Sequence, residues 1–124
     1  MNAHRHPDLL QLLQRALREG GDTHTAQDVA AALQAGDAQI VADPAGQAFI
    51  ITEVLAHPRR SVLRVWLAGG RLPALRALLP DLEELARLEG CTGLVAYGRP
   101  GWMAEAARHG WTARAIVYTK ELQT

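Results

Sequence analysis

Two apolar, β-branched runs near the middle of the chain leave few options for the fold. Gln47 to Ala56 (QAFIITEVLA) is almost continuously apolar, and Ser61 to Leu67 (SVLRVWL) resumes the pattern after His57-Pro58-Arg59-Arg60. A strand that is apolar at successive positions must be covered on both faces. Two such strands separated by about four polar or Pro residues form a hairpin. A shorter apolar run, Ala38 to Ala42, precedes them across the turn Asp43-Pro44-Ala45-Gly46 and completes an antiparallel meander.

The cover comes from amphipathic segments on either side. Pro7 to Gly20 carries Leu9, Leu10, Leu13, Ala16 and Leu17 at helical spacing, with Pro7 in the first turn and Gly20-Gly21 as the stop. Thr25-Ala26-Gln27-Asp28 has the form of a capping box with Asp for Glu, and it opens a helix that ends at Gly36. After Gly69-Gly70, Pro73 to Leu88 places Leu75, Leu78, Leu79, Leu82, Leu85 and Ala86 on one stripe, and Pro80 predicts a kink or a break within it. Thr92 to Tyr97 is a short strand, which a strand–helix–strand connection makes parallel to its predecessor. Pro100 to His109 reads as a fourth helix stopped by Gly110, and Trp111 to Glu121, with Ala115-Ile116-Val117-Tyr118, as a final strand. The result is one α+β domain over residues 1–124, ordered ααβββαβαβ, with 1–7 frayed.

Composition narrows the function. The 124 residues carry 13 basic and 13 acidic side chains, so no excess of positive charge is available to hold a phosphate backbone. No apolar run approaches the roughly 18–20 residues of a membrane span. The opening Met-Asn-Ala-His-Arg-His-Pro-Asp lacks the apolar core of a signal peptide, which points to the cytoplasm. Cys91 is the one cysteine, too few for an internal disulfide or a metal cluster. All basic residues but Lys120 are Arg, a bias typical of GC-rich bacterial genomes and their phages.

Gly90-Cys91-Thr92, Gly98-Arg99-Pro100-Gly101-Trp102, Arg108-His109-Gly110-Trp111, Tyr118-Thr119-Lys120-Glu121-Leu122 and Leu63-Arg64-Val65-Trp66-Leu67-Ala68-Gly69-Gly70 are similar to segments of small GNAT-like proteins encoded by tailed phages, prophages and gene-transfer agents. The element order likewise resembles that of the GNAT acetyltransferase superfamily, trimmed at its first and last strands. The resemblance spans roughly residues 8 to 122. It implies acetyl-CoA as cofactor, with the pyrophosphate held by backbone N–H groups after the strand that ends near Leu67. The corresponding residues are Leu67, Ala68, Gly69, Gly70 and Arg71, followed by Pro73, which removes one N–H; the family's six-position glycine spacing is absent. Arg99, at the C-terminal end of a strand, is a further ligand contact.

Proton handling falls to fewer groups. The family's Tyr, four positions before the Gly-aromatic pair, corresponds to Ala106. Tyr97 at a strand end is the remaining candidate acid, and Glu53, the carboxylate inside an apolar strand, the candidate base. Arg64 on the neighbouring strand is the natural cross-strand partner of Glu53, so the two form either a structural pair or the floor of a cleft. His4 and His6, on a tail without a third ligand, His57 at the hairpin tip and His109 at a helix end read as solvated residues. Trp102 is expected to anchor the fourth helix on the sheet.

Two functions follow from the resemblance. One is a phage-type GNAT-fold protein with a degenerate acyl-CoA site, associated with a virion or its assembly. The other is an active acetyl-CoA-dependent N-acetyltransferase acting on a small amine or a protein amine. An open sheet edge, at Ala38–Ala42 or Trp111–Glu121, is available to a second copy or to a phage structural protein.

Overall fold

The computed structural model describes residues 9–98 and 102–123. Two helices, α1 (Leu9–Glu19) and α2 (Ala26–Ala35), precede strands β1 (Gln39–Ala42), β2 (Ala48–Ala56) and β3 (Ser61–Gly70). Helix α3 (Leu72–Leu88), strand β4 (Gly93–Ala96) and helix α4 (Met103–Arg108) follow. The sheet runs β1-β2-β3-β4, antiparallel through the meander and parallel between β3 and β4.

The double-sided apolar pattern of β2 has the expected consequence. Ala48 and Ile50 face one core with Leu63 and the α3 residues Leu78, Leu82 and Ala86. Phe49 and Ile51 face a second core with Leu17 of α1, Val29 of α2 and Leu67. Helices therefore cover both faces, α1 and α2 on one and α3 on the other.

Local signals act as their chemistry requires. The Thr25 side chain accepts from the Asp28 backbone N–H at 3.1 Å, while the Asp28 carboxylate accepts from the Thr25 N–H at 2.8 Å. These bonds hold the Asp28 carboxyl below its ordinary range. Gly36 closes α2 in the left-handed conformation.

Four expectations need correction. Pro80 does not break the third helix, which runs unbroken from Leu72 to Leu88; burial of its apolar stripe against the sheet outweighs the one lost hydrogen bond. The third strand does not stop at Leu67 but continues to Gly70, with Phe49 opposite Gly69 and Ala48 opposite Gly70. Trp111, not Trp102, is the tryptophan that packs against the α3-side core, and Trp102 is 40% exposed. Finally, Trp111–Glu121 forms no strand: residues 112–123 are exposed, without regular structure.

Candidate functional site

The parallel ladder between β3 and β4 is short. It joins Val62 to Gly93 through Val65 to Ala96, then stops, while β3 runs on to Gly70. The two strands therefore part after Val65 and Ala96. Beyond that point, among the described residues, β3 is paired with β2 only, so its edge towards β4 carries backbone donors and acceptors without a strand partner there.

A bulge marks the place of parting. Ile51 pairs with Leu67 and Thr52 with Val65, which leaves Trp66 as the extra residue on β3. A bulge turns side chains from the regular alternation, and both Trp66 and Leu67 pack on the α1/α2 side. The His24 ring meets the Trp66 indole edge-on, with centroids 4.8 Å apart. Neither the bulge nor His24 was visible in the sequence pattern, because a bulge is set by the register of two strands.

Just before the bulge, three chemically active side chains share the sheet face that α1 and α2 cover further along. Glu53 and Arg64 are register partners, and Arg64 Nη1 lies 3.0 Å from Glu53 Oε1, both half-buried. The Arg64 guanidinium sits over the Tyr97 ring, 5.2 Å from its centroid. Tyr97 follows the last residue of β4 and is exposed. Arg64 Nε is buried without a hydrogen-bond partner among the described residues. A buried donor left unpaired is costly, so this N–H is a group that an oxygen of a bound molecule would satisfy.

The residues expected to form a phosphate loop are arranged differently. Leu67 to Gly70 are strand, and Arg71 alone links β3 to α3 as the N-cap. A Cβ on Gly69 would lie 2.9 Å from the Phe49 ring, and one on Gly70 would lie 2.5 Å from Ala48 Cα and collide with the Gln47 carbonyl. Both glycines are thus required by close packing on β2. The Arg71 N–H donates to the Gln47 carbonyl at 3.1 Å. No side chain caps α3, and the first-turn N–H groups of Leu72 and Ala74 point outwards from the helix end without an intrahelical acceptor. The donors at this helix start are therefore those two backbone N–H groups, with Pro73 contributing none, next to Arg71 at the N-cap. Arg99 lies outside the described residues.

A second polar cluster lies on the opposite side of the sheet, between α3 and α4. Glu105 receives Arg76 through two bonds, the longer 3.2 Å, and approaches His109 at 3.3 Å and Arg108 at 3.4 Å. The Arg76 hydrogen bond, with the neighbouring cations, lowers the Glu105 carboxyl to about 2. Arg76 and Glu105 are 29 positions apart, so no local pattern announced the pair. Among the described residues no group of His, Cys, Asp and Glu could hold a metal ion, and no helix is long and apolar enough to cross a membrane. Cys91 is buried, and burial raises its thiol.

No family model matches the sequence, and neither does any curated protein. Solved structures do match. An acetyltransferase from Trypanosoma brucei superposes with a TM-score of 0.63 at 15% identity, covering 90% of this chain and 94% of that one. Glucosamine-6-phosphate N-acetyltransferase from Arabidopsis thaliana gives 0.64 at 12% identity, over 92% and 88%. A GNAT family acetyltransferase from Staphylococcus aureus gives 0.60 at 15% identity, over 92% and 87%. The chain has the GNAT fold.

Proposed function

We propose that the chain is an acyl-CoA-dependent N-acyltransferase whose cofactor enters the wedge between β3 and β4. The observation that carries this reading is the parting of the strands after Val65 and Ala96, with β3 continuing into an uncapped helix. The free edge of β3 suits a ligand arm that carries amides, and the start of α3 suits its phosphates. Leu72 and Ala74 N–H, with the Arg71 side chain, would hold the pyrophosphate, and Leu67 to Gly70 the arm that leads inwards. Acetyl-CoA supplies the activated thioester when bound. The chain's own residues handle protons and orientation. Glu53 would accept a proton from the incoming amine through a water, Arg64 would orient Glu53 and offer its Nε–H to an oxygen, and Tyr97 would supply the proton that a thiolate leaving group needs.

A second reading is a GNAT-fold binding protein without turnover, of the kind that serves a phage particle or its assembly. It is favoured by the commitment of the Arg71 N–H to Gln47, the missing N–H of Pro73, and Ala106 at the family's Tyr position.

Thermal melts with and without acetyl-CoA, paired with an acetylation assay on small amines, separate the two. A ligand that binds only the folded state raises the midpoint. A raised midpoint with turnover that Glu53→Gln abolishes supports the enzyme. A raised midpoint without turnover supports the binding protein. No shift at millimolar acetyl-CoA eliminates the cofactor site.

A further inference from the structure

The Glu53–Arg64 pair uses only part of the guanidinium. Arg64 Nη1 is the atom 3.0 Å from Glu53 Oε1. A guanidinium is a planar fork in which Nε–H lies beside one of the Nη–H groups, an edge that matches the two oxygens of a carboxylate. On Arg64 that Nε is buried and has no acceptor among the described residues. Nor does any carboxylate but Glu53 lie within ion-pair distance of Arg64 among them. The Tyr97 ring, exposed at the end of β4, lies over the guanidinium, so it is the part of the cover that can turn aside for a ligand.

We infer that the acceptor is a free α-amino acid, with its nitrogen at Glu53 and its carboxylate on the Nε edge of Arg64; the inference rests on the transferase reading above. Charge decides for a carboxylate over a neutral oxygen. Glu53 balances Arg64 only while it is ionised. Once Glu53 takes the proton of the amine, the half-buried guanidinium is left without a counter-charge, which is costly. A carboxylate on the acceptor supplies that charge, whereas the carbonyl of a peptide N-terminus does not. An α-amino acid carries its nitrogen and its carboxylate on one carbon, and so can meet two side chains that stand opposite each other on adjacent strands. In the transfer, the nitrogen of the acceptor bonds to the acyl carbon as the carbon–sulfur bond breaks. An ammonium acceptor loses two protons in all: one ends on the sulfur as a thiol, and the other passes through Glu53 to water.

Acetylation of the common α-amino acids by the full chain, each beside its α-carboxamide and its decarboxylated amine, tests the inference. For at least one amino acid, kcat/KM should exceed that of both analogues by about tenfold or more. Arg64→Lys keeps a cation beside Glu53 but not the fork, and should erase this preference by raising KM for the amino acid. If the variant does not fold, the unaltered chain decides: with CoA, which has no acyl group to transfer, the preferred amino acid at millimolar concentration should raise the thermal midpoint and its carboxamide should not. Equal kcat/KM for amino acid and carboxamide overturns the inference and leaves the transferase standing. A preference that survives Arg64→Lys also overturns it. Turnover of none of these amines overturns it as well, and the acetyl-CoA shift of the midpoint then shows whether the cofactor site falls with it.

Discussion

At Gly70, β3 holds φ at +122° and presses its backbone on Gln47 and Ala48, which lets the strand turn into α3 through the single residue Arg71. An alanine there meets backbone, not a side chain that could move. Gly70→Ala should cost at least about 2 kcal/mol, read as a lowered urea midpoint; an unchanged midpoint would mean that the turn is not held by this contact. Glu105 makes a different kind of prediction. Its folded-state value, about 2, lies below the ordinary 4.5, so its bond to Arg76 contributes stability that is fully present above pH 4.5 and is lost as pH falls towards 2. Glu105→Gln should therefore flatten the dependence of the unfolding midpoint on pH across that window. Parallel curves for the variant and the natural chain would remove Glu105 from acid unfolding. The sequence pointed to Glu53 and Arg64 as partners because strand pairing places them opposite each other, whereas the Arg76–Glu105 contact joins separate helices and left no trace in local spacing.

The helices separate what is local from what is not. The capping box at Thr25 could be read from four residues, and Thr25→Ala should destabilise by about 1 kcal/mol, measurable in a thermal melt. Pro80 was legible as a residue but not in its effect. It withholds an N–H from the Arg76 carbonyl, yet α3 continues because Leu78, Leu82 and Ala86 are buried on the sheet. Pro80→Ala should restore that bond and raise stability by about 1–3 kcal/mol. A lowered midpoint would show that the proline ring fills the cleft beside Leu79 more than it disturbs the helix. The last expected strand illustrates the converse. Its residues have the composition of a strand, but a strand exists only by pairing, and among the described residues 112–123 pair with no strand.

Taken together, the layers put the wedge, the Glu53–Arg64–Tyr97 row and the start of α3 at one end of the β3–β4 pair. From the sequence alone came the α+β order, the meander, the parallel return and the cross-strand carboxylate, because these depend on hydrophobic period, turn residues and caps within a few positions. Only the tertiary structure decided where β3 and β4 part, that Trp66 bulges, that the glycines pack closely on β2 and that no side chain caps α3 among the described residues. Those features depend on register and on close approach between segments far apart in the chain, where one residue's conformation is set by a neighbour that its own sequence does not name.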